Sequence, residues 1–137
     1  LYFTIDLGVE ATLSRFKLWH RLGNNVYKNH NIKTFEVWGS RNYKKGMQEN
    51  YWSEEWKNDW ELLGDYETFK PSGEDNPSVT NEDIAYAEAG FEFMVPIEKQ
   101  RVRYVRFAMK SNWSGSNALH ISEITFYGDD RINDINE

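Results

Sequence analysis

Lys33-Thr34-Phe35-Glu36-Val37-Trp38-Gly39-Ser40 alternates apolar and polar side chains, with Phe35 and Val37 on one side of the chain. Successive side chains of a pleated strand point to opposite faces, so this stretch reads as a half-buried strand with Phe35 and Val37 inward. The same period recurs on both sides of it. Leu1, Phe3, Ile5 and Leu7 alternate with Tyr2, Thr4 and Asp6 up to Gly8, and Ser14 to His20 repeats the pattern through Phe16 and Leu18. Downstream, Trp60 to Gly64 is a short strand whose Trp60 is expected in the interior. Phe91 to Val95 alternates strictly, Arg103 to Met109 points Val105, Phe107 and Met109 inward, and His120 to Tyr127 points Ile124 and Phe126 inward. Seven such segments, each with one dry and one wetter face, predict an all-β sandwich.

Two segments break the period of two. Trp52, Trp56 and Trp60 recur every four residues, which suits a helical turn within Tyr51 to Asp59. Thr80 followed by Asp83 resembles a capping box and predicts a short helix over Asn81 to Ala89. Arg21 to Asn31 and Lys70 to Pro77 are loops by composition.

The bulk numbers exclude several classes of function. With 16 Lys plus Arg against 22 Asp plus Glu, the net charge of -6 opposes nucleic acid and anionic lipid as partners. The absence of cysteine removes thiol chemistry, and no apolar run approaches the ~20 residues that span a bilayer. Nucleophile elbows, phosphate loops and zinc-protease motifs are missing, and acidic pairs such as Glu54-Glu55 lie in polar stretches where nothing raises a pKa. No enzymatic activity is expected. Arg103 and Arg106 have opposite strand parity, so they do not line one basic stripe.

Six Trp and eight Tyr in so polar a chain exceed what a small core readily takes, because indole N–H groups need partners when buried. Sugars present apolar C–H faces to aromatic rings and hydroxyls to Arg, Asn and His. Three segments combine these types: Trp19 to Asn31, Tyr43 to Trp56, and Ser111 to Asn117. Trp19 is expected to fold back as a lid on the core. Trp113, set among Asn112, Ser114 and Gly115, is expected to be exposed.

Read in order, Ile5-Asp6-Leu7-Gly8, Arg21 closing a strand, Phe35 to Ser40, Trp60 to Gly64, Arg103 to Phe107 and Ile121 to Gly128 resemble the coagulation factor 5/8 type C (discoidin) domain. They are equally similar to the related family 32 carbohydrate-binding modules. The resemblance covers residues 1–128, leaving 129–137 as a tail, and the Trp-rich middle is like versions at the C-terminus of Bacteroidetes surface lipoproteins for polysaccharide utilisation. It implies a galactose-binding-like jelly-roll sandwich of two antiparallel sheets with a loop site at one end, here expected to lack its first strands.

Carried over residue by residue, the resemblance implies sugar contacts from Arg21, from Asn29 or Asn31, and from Trp113 as a stacking ring, with Asn112 beside it. His20, Trp52 and Trp56 are secondary ligand candidates. Glu123, in Ser122-Glu123-Ile124, would be the counterpart of a ligand to one structural calcium. The expected function is non-catalytic carbohydrate binding in a secreted or outer-membrane-associated bacterial protein. The alternative is a protein-interaction or adhesion scaffold docking other surface proteins without sugar affinity.

Overall fold

The computed structural model describes residues 1–43 and 53–131. Six strands, β1 (Tyr2–Trp19), β2 (Ile32–Ser40), β3 (Glu61–Glu67), β4 (Phe91–Met94), β5 (Val102–Asn112) and β6 (Glu123–Asp129), pair antiparallel throughout. One helix, α1 (Asn81–Ala89), precedes β4. The all-β sandwich expected from the alternation is what the chain forms.

The first two expected strands are one. β1 runs through Gly8, whose φ of 80° and N–H bond to Asp6 Oδ1 make a kink where the pairing register shifts between Asp6 and Ala11. Up to the kink, and again at Ala11, β1 pairs β5, and from Thr12 on it pairs β6 on one edge and, from Arg15, β4 on the other. The strand order β3-β2-β5-β1 thus makes one layer and β4-β1-β6 the other, with β1 common to both.

The inward residues meet between the layers as the alternation requires. Phe16, Leu18, Phe35, Val37, Val105 and Phe107 are fully buried, and Phe16 packs edge-on against Phe107 at 5.5 Å and Tyr66 at 5.1 Å. Ring pairs of this geometry add about 0.5–1.5 kcal/mol each to the burial of their area.

A second aromatic layer lies on the outer face of β1, β5 and β2. Thr4, Arg106 and Trp38 face one another across the ladders, and Arg106 is fully buried, its Nε donating to Thr4 Oγ1 at 2.8 Å. Tyr2 and Trp60 each lie 4.2 Å from its guanidinium and Trp56 4.8 Å, a cage that keeps the cation against π-faces. Trp60 is buried as expected, but it packs in this layer and precedes β3 instead of opening it. Trp56 sits in a 3-10 helix over Glu55–Asp59, a tighter turn than the α-helical spacing suggested.

Helix α1 starts where the capping box predicts. Thr80 Oγ1 accepts from Asp83 N at 3.1 Å, and Asp83 Oδ2 accepts from Thr80 N at 2.9 Å. The same buried carboxylate takes the N–H and hydroxyl of Ser72 and lies 3.9 Å from Lys70 Nζ, tying the loop before α1 to the helix start.

Candidate functional site

Three connections leave the sandwich at one end. Register places Ile32 opposite Asn112, Trp19 opposite Glu123 and Thr34 opposite Glu67, so the β1–β2, β5–β6 and β3–α1 loops emerge together. An isolated bridge between Asn31 and His120 zips the first two loops, with His120 N donating to His30 O at 3.0 Å.

Several expected ligand contacts turn out to be the internal frame of these loops. Asn31 is fully buried; its side-chain oxygen accepts from Arg21 N at 2.8 Å and its amide donates to the carbonyls of Arg21 and Asn25. Asn112 is buried too, its amide reaching Ser116 Oγ and Ala118 O while its oxygen takes the N–H groups of Ser114 and Ser116. His20 is fully buried with Nε2 2.7 Å from Ile32 O. A carbonyl only accepts, so Nε2 carries the proton, and burial lowers the pKa to about 4. All three position backbone and present nothing to solvent.

Trp113 is likewise corrected. It is half-buried instead of exposed: its indole N–H donates to Thr68 Oγ1 at 2.9 Å, its ring meets Tyr27 edge-on at 5.0 Å, and Lys33 Nζ lies 4.8 Å from the ring centroid. Trp19 is half-buried and packs over Gly90, where φ is 85° and any Cβ would lie 2.7 Å from the indole. Trp56 belongs to the Arg106 cage on the outer face of the sheet, and Trp52 lies outside the described residues.

Arg21 and Asn29 remain on the surface, and the structure adds the exposed His30 and the half-buried His120 to them. Tyr27, Asn29 and His30 have φ of 54°, 49° and 71°, a left-handed cluster that side chains other than glycine adopt at a cost. The contacts of Asn31 and Ser114 hold it in place, Ser114 Oγ accepting from His30 N at 2.8 Å. Ser116 Oγ accepts from Asn112 and lies 2.7 Å from His30 Nδ1, which fixes the ring with Nε2 on its other side. The Asn31–His120 bridge, the bond from His120 N to His30 O and the bond from Arg21 N to Asn31 bring Arg21, His30 and His120 to one place, and burial first, then the charges of Arg21 and His30, lower the His120 pKa.

Two rings escaped the sequence reading. Phe69 and Tyr86 are 56% and 42% exposed and stack edge-on at 5.3 Å, and Phe69 O accepts from Tyr27 Oη at 2.6 Å. Phe69 directly follows Thr68, the anchor of Trp113, so the pair flanks the same loops. Its place just past the end of β3 was the available signal.

Glu123 is exposed at the start of β6. Among the described residues no three His, Cys, Asp or Glu side chains gather in a group that could hold a metal ion.

A family model matches residues 1–128, that of DUF5000, a domain of unknown function. The chain belongs to the DUF5000 family. No curated protein matches this DUF5000 domain. Among solved structures it is similar to a SusE-like protein, BT2857, with 36% identity over 94% of the chain and a TM-score of 0.83. The domain spans 47% of that protein's length. It shares a fold with the C-terminal domain of a chitobiase from Bacteroides fragilis, at 16% identity, a TM-score of 0.54, and coverage of 93% of this chain and 62% of that one. The same holds for a family 89 glycoside hydrolase from Clostridium perfringens, solved with its substrate GlcNAc-α-1,4-galactose, at 15% identity, a TM-score of 0.54, and coverage of 94% and 10%.

The DUF5000 match overturns the discoidin and family 32 resemblance. Its motifs, such as Phe35-Glu36-Val37 and Ile5-Asp6-Leu7-Gly8, are strand alternations closed by glycine, which many sandwiches share. Arg21 therefore stands on its own geometry, and the calcium role of Glu123 loses the likeness that suggested it.

Proposed function

We propose that this domain, residues 1–128, is a non-catalytic glycan-associated module of a bacterial cell-surface protein, and that the glycan meets the β1–β2, β3–α1 and β5–β6 loops. One observation carries the reading. Exposed hydrogen-bonding groups, Arg21, Asn29 and His30, sit on a loop whose unusual backbone is held by buried Asn31, beside the exposed rings of Phe69 and Tyr86. Fixed donors next to apolar ring faces are what a sugar needs from a protein. The name of the SusE-like relative supports the surface, polysaccharide-linked setting. Among the described residues no helix is long and apolar enough to cross a membrane.

The two carboxylates with clear shifts are set for structural roles and not for donating protons. Burial pushes the Asp83 pKa up, but hydrogen bonds from Ser72 and Thr80 outweigh it and leave it at about 2; Arg131 lowers Asp129 to about 2. A general acid needs the opposite shift.

Gel electrophoresis through mixed polysaccharides, followed by titration of the one that retards the protein, tests the reading. The expected affinity is weak, with Kd on the order of 0.1–1 mM, because the surface is open to water. Arg21→Ala and Phe69→Ala are expected to weaken it several-fold with unchanged melting. A wild-type protein that no glycan retards would instead favour a protein-docking module.

A further inference from the structure

Two of the three loops at this end, β1–β2 and β5–β6, differ in charge from the rest of the molecule, while the third, β3–α1, carries Glu74 and Asp75. Residues 20–31 and 113–122 contain no Asp or Glu, whereas at the chain's average of 22 acids in 137 residues they would hold about three or four. They contain His20, Arg21, Lys28, His30 and His120 instead. Other cations meet carboxylates: Arg103 meets Asp6 at 2.9 Å, Lys110 meets Asp65 at 2.7 Å, and at the loop end itself Lys33, beside Trp113, meets Glu74 at 3.1 Å. Among the described residues Arg21 and Lys28 meet none.

We propose that the glycan bound at this end is anionic, its carboxylate or sulfate ester seated by Arg21, His30 and His120. This deepens the glycan reading above and rests on it. The guanidinium of Arg21 offers paired N–H donors that match a carboxylate or sulfate, and bonds to a charged acceptor are roughly twice as strong as neutral ones. His30 adds its Nε2 edge, since Ser116 Oγ lies against its Nδ1. The repulsion that Arg21 and His30 exert on His120 is relieved once an anion lies among them. A neutral sugar leaves that field uncompensated. Glu123, which faces Trp19 across the ladder at the start of β6, borders these two loops, and Glu74 on the third is paired with Lys33.

The test pairs each anionic polysaccharide with its neutral form: polygalacturonate with its carboxyl-reduced product, and a sulfated galactan with its desulfated product. The full chain and its Arg21→Gln and His30→Gln variants are titrated against each at low and at 0.5 M salt (about a 4 Å Debye length). The charged member of at least one pair is expected to bind at least tenfold tighter than its neutral partner. That advantage should shrink at high salt and in Arg21→Gln, and the pair that shows it tells carboxylate from sulfate. Neutral forms binding as tightly as charged ones would overturn the anionic inference and leave the glycan reading standing. No binding to any of the four would overturn both. Duplex DNA bound as tightly as the best polysaccharide would also overturn the inference, because charge alone would then suffice.

Discussion

The indole N–H of Trp113 donates to Thr68 Oγ1 at 2.9 Å, while the same hydroxyl donates to Ile32 O at 3.2 Å. Thr68 is buried, so one hydroxyl joins the β5–β6 loop to the start of β2 and to the end of β3.

Removing that hydroxyl leaves a partly buried indole N–H without a partner and Ile32 O with the His20 bond alone. Thr68→Val, which keeps the shape, is expected to cost about 1–3 kcal/mol in denaturant melts. Trp113→Phe should cost less than Trp113→Ala, since the phenyl ring still meets Tyr27. Equal melting of wild type and Thr68→Val would mean the bond carries no stability.

The Arg106 cage makes a separate prediction. Trp60→Ala opens a cavity beside a buried cation and is expected to destabilise by about 3–5 kcal/mol. Trp60→Phe preserves a π-face and should recover part of that loss. If both variants melt like wild type, Trp60 contributes nothing to the outer layer.

Acid sensitivity should trace to His20. Its folded pKa of about 4 lies below the unfolded 6.5. Above pH 6.5 both states are neutral, and between pH 6.5 and 4 only the unfolded chain takes the proton. Stability therefore falls as pH falls through that window, by about 3 kcal/mol in total. His20→Gln should flatten the profile across pH 4–6.5 while lowering stability at pH 7. A variant profile as steep as wild type would assign the acid loss to other groups.

Asp83 acts lower on the pH scale. Burial opposes its charge, but the bonds from Ser72 and Thr80 prevail, so its contribution is full above pH 3.8 and is lost as pH falls through about 2. Asp83→Ala removes half of the capping box and leaves the buried Lys70 charge with the Asn76 and Ser78 carbonyls but no carboxylate, at a cost of about 3–5 kcal/mol. Thr80→Ala removes one capping bond and should cost about 1 kcal/mol. Comparable losses in the two variants would show that Lys70 does not depend on Asp83.

Local patterns were readable where their cause is local. Phe16, Leu18, Phe35 and Phe107 announce an inward face because a strand alternates every residue, and Thr80 with Asp83 announces a cap because the motif closes within four residues. Gly8 misleads for a physical reason: a glycine at positive φ ends many strands, but here it only kinks one that continues to Trp19. Trp113 looks exposed among Asn, Ser and Gly, since the residue that takes its N–H is 45 positions away. Arg106 reads as surface by parity, and parity is right about the face; the rings of Trp56 and Trp60 that bury it come from another segment. The basic loop end was visible only as Arg21 until the fold brought His30 and His120 beside it.

The sharing of β1 by both layers also governs how the molecule comes apart. Peeling β4 and β6 away exposes the back half of a strand whose front half is still laced to β5, so neither layer is a free-standing unit. Opening the layer around β6 strips Phe16 from Phe107 in the same event. The core amides of the two layers are therefore set to exchange with solvent at a common, global rate, while those of the loop end exchange earlier and independently. The loop end can then loosen and reclose without borrowing from the cohesion of the sandwich beneath it.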